Sequence, residues 1–346
     1  MAIKRSNTEE VINHLTDPGE KPVQEVLMEV GLRPKTLTEY IGQDEVKSNL
    51  SYLIKAAKIR GEPLDHILLH GSAGLGKTTL ANIIGNEVGV NVRITSGPAL
   101  EKQGDVASII TNLKEKDILF IDEIHRLKPV IEEILYSAME DFAIDLVIGK
   151  GPAAKTMRLK LPRFTLIGAT TKISMLSSPL RDRFGAVYKL QFYSNDHIKQ
   201  IILRSADILK IDIEEEAAKY LSECSRQTPR IANRLLKRVR DFSLVNGFPR
   251  INRSIIVKAL EAMGIDHLGL DEADRVILNA IIERFRGGPV GVGSIAAATS
   301  EDENTIEDVY EPYLLQLGFL ERTNRGRIAT EKAYLHLGHN FISENI

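Results

Sequence analysis

The chain has 346 residues, and at about 150 residues per domain that length points to two or three domains. Hydrophobic residues at 43% and charged ones at 27% suit a soluble protein with several cores, while 45 basic against 47 acidic side chains leave a net charge of −2, without the basic excess usual of a nucleic-acid binder. A lone cysteine, Cys224, excludes an internal disulfide and a multi-cysteine zinc site and fits a reducing cytosol, and no apolar run approaches the roughly 18 residues of a membrane span.

In chain order, residues 1–30 form a polar arm with Asp17-Pro18-Gly19 and Lys21-Pro22 and no apolar centre of a signal peptide. From Leu32 the pattern is globular. Val46, Leu50, Leu53, Ile54 and Ala57 recur at helical spacing between Gln43 and Arg60. β-prone runs follow at 67–69, 92–94, 118–121 and 165–167, and 187–192 offers a fifth strand. Helical stretches separate most of them. The alternation predicts an α/β domain over 31–192, a parallel sheet with helices on both faces. Within it, Ile144, Leu146 and Ile148 alternate before Gly149-Lys150-Gly151, and Met157, Leu159 and Leu161 after it. That predicts a β-hairpin over 141–162, projecting from the sheet with an apolar face for a partner. Residues 193–264 read as helices only, at 196–209, 214–224, 230–244 and 252–263, a small helical lid. Over 265–346, helices at 271–285, 294–299 and 303–317 precede strand-like runs 319–321 and 327–329, joined by Thr323-Asn324-Arg325-Gly326. That order is a winged helix.

Gly71-Ser72-Ala73-Gly74-Leu75-Gly76-Lys77-Thr78 fits G-x-x-x-x-G-K-[ST], between a strand ending at His70 and a helix running toward Gly89. Gly74 and Gly76 let the backbone curl so that N–H groups face one concavity, to which the helix N-terminus adds positive potential. The expectation is an ATP site in which Lys77 reaches the β- and γ-phosphates. Thr78 and Asp122 would hold Mg²⁺, and Glu123 would orient or deprotonate water. The run 92–94 lies between the two motifs and implies an extra strand between the phosphate-site strands of the sheet. Thr170, after the strand 165–167, is the candidate to position water or touch the γ-phosphate. Of the arginines in Ser178-Pro179-Leu180-Arg181-Asp182-Arg183-Phe184, one suits a salt bridge with Asp182. Arg183 suits the arginine that a neighbouring subunit lends to stabilise transferring charge.

The balanced total conceals two opposed segments. Residues 226–253 hold eight basic side chains against one acid, Asp241. Ile231, Leu235, Val239 and Phe242 form the apolar stripe of the helix that Pro229 opens, leaving the bases on other faces. Arg230, at its start, is placed to reach a bound nucleotide. From Gly264 onward 14 acids face 7 bases, yet Arg322, Arg325 and Arg327 crowd the predicted wing. There they suit phosphate contacts, which give affinity without reading sequence.

Leu32-Arg33-Pro34-Lys35-Thr36-Leu37, the phosphate loop, the run 122–127, the run 178–184 and Thr228-Pro229-Arg230-Ile231-Ala232-Asn233-Arg234-Leu235 occur in this order. Together with Glu307–Tyr313 they resemble the RuvB family of AAA+ ATPases, from about Leu32 to Leu337. The resemblance implies a hexameric ring that pulls duplex DNA at four-way junctions, driving Holliday junction branch migration in recombination and repair. It implies RuvA as partner, contacted by the 141–162 hairpin. Nucleotide contacts would fall on Leu32, Arg33, Gly74, Lys77, Thr78, Thr79, Tyr193 and Arg230, with Arg183 from a neighbour, and Glu140, Asp141 and Phe142 also lie at family nucleotide-site positions. Arg322 and Arg327 match its DNA-contacting arginines. Ser72-Ala73 stands where Pro-Pro is usual, and Asn324 where a proline is common. The competing reading is a loader or initiator ATPase, a nucleotide-dependent DNA-binding switch in which hydrolysis serves release.

Overall fold

A computed structural model describes residues 31–148 and 155–341. The expected arm over 1–30 and the Gly149-Lys150-Gly151 hairpin tip lie outside the described residues.

The first long helix among the described residues is α1 (Asp44–Arg60), whose Val46, Leu50, Ile54 and Ala57 face the core at helical spacing. Then follow β1 (Ile67–His70), α2 (Lys77–Val88), β2 (Val92–Ser96), α3 (Gln103–Thr111), β3 (Ile118–Asp122) and α4 (Pro129–Glu140). A hairpin of β4 (Ala143–Ile148) and β5 (Lys155–Lys160) leads to β6 (Thr165–Thr170), the short α5 (Ser178–Arg181) and β7 (Ala186–Lys189). The five sheet strands are parallel in the order β2-β3-β6-β1-β7. Two apolar clusters fill its faces, one against α1 and α2, the other against α3 and α4.

This order corrects one expectation. The strand between the two phosphate-site strands is β6, and β2, the 92–94 run, lies at the edge. Every residue of β6 is buried, whereas β2 is half exposed and carries Arg93. A central parallel strand is covered on both faces and needs an apolar run; β6 supplies one and β2 does not.

The base of the hairpin is tied inward. Ile144 is buried opposite Leu159, and both pack with Phe142 and Leu161 against the cluster around α4. Met157 is exposed.

The lid comprises α6 (Asn195–Leu209), α7 (Glu215–Glu223), α8 (Pro229–Val245) and α9 (Arg253–Ala262). Ser194 and Asn252 cap α6 and α9 through their side-chain oxygens, and proline occupies the first turn of α8. The last segment comprises α10 (Glu272–Asn279), α11 (Val292–Thr299), α12 (Glu303–Thr305), α13 (Glu311–Leu317), the antiparallel β8 (Leu320–Thr323) and β9 (Gly326–Ala329), and α14 (Glu331–Leu337). π-helical turns at Ala280–Arg284 and Ile306–Tyr310 interrupt what the spacing presents as continuous helices. Among the described residues no helix is long and apolar enough to cross a membrane.

Candidate nucleotide and DNA sites

The phosphate loop bends because its glycines take conformations closed to other residues. Gly71, Gly74 and Gly76 have φ of 140°, 80° and 98°. A Cβ on Gly71 would lie 2.5 Å from the Leu190 carbonyl, and one on Gly76 2.8 Å from the Tyr40 hydroxyl. The hydroxyls of Tyr40 and Tyr193 lie 3.0 Å apart, each within hydrogen-bond reach of the Leu75 carbonyl. The two tyrosines, one ahead of the loop and one at the start of the lid, thereby pin it from both sides.

Lys77 opens α2 with only 8% of its surface exposed. Its ammonium donates to the carbonyls of Gly71 and Ser72 at 2.7 and 2.9 Å. Burial pulls its pKa down to about 8, with Asp122 opposing and Arg230 reinforcing. Thr78 Oγ1 donates to Asp122 Oδ2 at 3.3 Å, and the Glu123 amide to Asp122 Oδ1 at 3.0 Å. Glu123 sits at φ 47° and is exposed, its carboxylate accepting from Arg126 Nη1 at 3.0 Å.

These groups line a cleft of about 970 Å³ together with Leu32, Arg33, Gly74, Gly76, Thr79, Thr171, Tyr193 and Arg230. Its far wall is α8: Arg230, Arg234, Lys237, Arg238 and Arg240 all face it. Their spacing puts them opposite the buried Ala232, Leu235, Leu236 and Val239. The lopsided basic segment is therefore turned toward the phosphate loop. Lys237 Nζ is buried with no hydrogen-bond partner, Arg230 lies against Gly74 of the loop, and cations lining a cleft whose other wall is a glycine cradle fit a polyphosphate. Spacing alone made Arg234, Lys237 and Arg238 legible as neighbours of Arg230; what they faced was not.

Thr170 departs from expectation. It is buried at the end of β6, its Oγ1 3.0 Å from His125 Nδ1 and accepting from the Lys172 amide. The cleft is lined by Thr171 instead. Successive strand residues point to opposite sides, so one step of register exchanges the two.

Glu140, Asp141 and Phe142 are not brought to this cleft. Asp141 pairs with Arg158 at 2.7 Å, while the Arg183 guanidinium donates to Glu140 at 2.8 Å and to the Pro179 carbonyl at 2.8 Å and stacks 4.7 Å above Tyr136. Arg183 and Phe142 line a second cavity of about 310 Å³ that shares no residue with the first. The site residues thus form two separate half-sites on one chain.

On the wing, Arg325 is exposed at the turn and Arg322 stands beside it, also exposed. Arg327 corrects the expectation of a third outward cation. It is 7% exposed, and its guanidinium donates to Glu307 at 2.8 Å and Glu311 at 2.9 Å. It sits at a residue of β9 whose side chain turns into the domain, paired across the strands with Arg322, and the buried Glu311 pulls it in.

Comparison with known proteins gives one answer along the chain. Residues 32–190 match the family model of the Holliday junction DNA helicase RuvB P-loop domain, 193–266 that of the RuvB AAA lid domain, and 267–338 that of the RuvB C-terminal winged helix domain. The solved Thermotoga maritima RuvB Holliday junction branch migration motor is 52% identical, with a TM-score of 0.83, over 90% of this chain and 100% of that one. A lysine-to-arginine mutant of Thermotoga maritima RuvB is 53% identical with a TM-score of 0.84, over 90% of this chain and 99% of its own.

Proposed function

This chain belongs to the RuvB family, and we propose how its residues divide the work of an ATP-hydrolysing Holliday junction branch-migration motor. The carrying observation is the split between its half-sites: Lys77, Thr78, Asp122 and Glu123 face α8 across one cleft, while Arg183 and Glu140 lie outside it. Arg183, the cation assigned to the transferring phosphoryl group, does not line its own chain's cleft. A ring of identical subunits, six in the family, supplies it from the neighbour.

Within the cleft, the phosphate-loop amides and Lys77 bind the β- and γ-phosphates of ATP. Glu123 accepts the proton of the attacking water, positioned by Thr171 rather than Thr170. The hard oxygens of Thr78 and Asp122 are the donor set for Mg²⁺, which when bound neutralises charge between the phosphates. Arg230 senses the nucleotide from the lid, and the neighbour's Arg183 stabilises the transferring phosphoryl group, with its Glu140, Asp141 and Phe142 beside it. The division of labour follows the chain: ATPase over 31–192, lid over 193–264, DNA head over 265–346. Arg322 and Arg325 contact backbone phosphates of duplex DNA, and Arg327 anchors the wing from inside. The 141–162 hairpin carries the surface for RuvA, and the protein works in the cytoplasm.

Mixed rings test the shared site. Glu123→Gln and Arg183→Ala subunits, each inactive alone, should recover ATPase activity when combined, because some interfaces then hold both native groups. No recovery at any ratio would sink the trans assignment. ATP-dependent migration of a synthetic four-way junction, with and without RuvA, separates motor from loader: failure despite DNA-stimulated hydrolysis favours the loader.

A further inference from the structure

The end of β6 carries three consecutive polar residues with three destinations. Thr170 is buried against His125, and Thr171 lines the nucleotide cleft. Lys172 leaves the ATPase domain: its Nζ lies 3.3 Å from Glu307 Oε2 and 3.2 Å from Asp308 Oδ1, both in the head. The other oxygen of Glu307 accepts from Arg327 Nη2 at 2.8 Å and from Arg322 Nη2 at 3.3 Å. One carboxylate is thus shared by a lysine next to the nucleotide cleft and two arginines of the wing. Its charge cannot satisfy all three cations, so what Lys172 takes is withdrawn from the arginines. Burial opposes ionisation of Glu307, yet hydrogen bonds from Arg327 and Lys172 hold its pKa below the ordinary value. Glu307 and Asp308 also occupy the π-helical turn Ile306–Tyr310, a geometry that concentrates at functional sites.

We propose that Lys172 is a positioning residue that couples the nucleotide state to the wing's grip on DNA through Glu307. With Lys172 docked, Glu307 is partly neutralised and holds the exposed Arg322 only at 3.3 Å, a contact that a DNA phosphate can displace. When the strand end shifts with Thr171 as the phosphates change, Lys172 withdraws, Glu307 closes on Arg322, and the grip loosens. Arg327 stays bound to Glu311 in both states and holds the wing in place. The inference rests on the motor reading, in which Arg322 touches duplex DNA.

The test is the affinity of the full chain for a fluorescent DNA duplex, measured by anisotropy with ADP and with a non-hydrolysable ATP analogue. The wild type is expected to differ between the two by about fivefold or more. Lys172→Ala should bring that ratio close to one and weaken binding, while Lys172→Arg, which keeps the charge, retains it. Glu307→Gln should tighten binding in both states, reporting on the same contact from the other side. The KM for ATP should not move with Lys172→Ala. A Lys172→Ala protein with the wild-type ratio overturns the proposal, as does a loss of ratio that only accompanies a raised KM, or a wild-type ratio of one. A wild type that neither binds duplex nor hydrolyses ATP faster with it would instead sink the motor reading.

Discussion

Lys77 is an ammonium held almost out of water, and its burial has a sign that can be measured. Its pKa falls to about 8 from the ordinary 10.5. Below pH 8 the lysine is charged in folded and unfolded chains alike, and the desolvation cost is present in full. As pH rises from 8 to 10.5 only the unfolded chain keeps the proton, so this group's contribution favours the folded state increasingly. Nucleotide binding runs the other way, because phosphates require the charged form. Titration calorimetry should find affinity level below pH 8 and falling toward about tenfold per pH unit above it; a flat profile to pH 9.5 would count against Lys77 as a phosphate ligand. Glu123→Gln keeps the shape and removes the proton acceptor, so phosphate release should drop by about 100-fold or more, with nucleotide affinity retained. Hydrolysis within threefold of wild type would remove Glu123 from the reaction. The residues that announce these roles were legible because the motif fixes their neighbours in the chain. Thr170 and Thr171 were not distinguishable that way, since only the register of β6 against β1 decides which faces the cleft.

The phosphate loop shows what an element demands of single positions. Gly76→Ala places a Cβ 2.8 Å from the Tyr40 hydroxyl at a φ of 98°. It should cost about 1–3 kcal/mol and abolish the thermal shift that ATP produces. Gly104→Ala is the control: nothing lies within 4 Å, its φ is not in the left-handed region, and it falls in α3. There the change should stabilise by about 0.5–1 kcal/mol, and destabilisation would fault the reading of α3. Most elements were written in hydrophobic period, as α1 and α8 illustrate. The hairpin is more instructive: alternation predicted two strands correctly, but it did not reveal that Ile144 and Leu159 fold back onto α4. Period tells which residues share a face and is silent about what covers it.

At the scale of the molecule, lid and head are joined by a buried ionic latch. Arg226 and Gln227 both adopt left-handed backbone, at φ 49° and 51°. The Arg226 guanidinium donates to the Gly269 carbonyl at 2.8 Å, to Asp271 at 2.9 Å and to the fully buried Asp274. Three residues later Pro229 begins the helix that carries Arg230 to the nucleotide, so the latch links the lid's nucleotide face to the head. Arg226→Ala strips Asp274 of its cation and should cost about 3–5 kcal/mol. Denaturant unfolding followed separately in lid and head should lose coincidence; a single unchanged transition would show that the latch does not bind them.

The net charge of −2 was a sum over unlike jobs. Of the basic residues in 226–253, Arg226 is in the latch, five line the nucleotide cleft, Arg250 lies near Asp212 and Glu214, and Arg253 stacks on Tyr220. Sequence by itself determined the phosphate-loop chemistry, the α/β alternation, the helical lid and the wing, because glycine freedom, hydrophobic period and turn residues act over a few neighbours. Tertiary structure alone decided which strand separates the phosphate-site strands, which threonine meets the cleft, that Arg183 turns away from it, and that Arg327 points inward. Each of those depends on a partner distant in the chain, such as Thr170 beside His125 or Arg183 beside Glu140. Local spacing carries no information about which distant surface a side chain will meet once the core has closed.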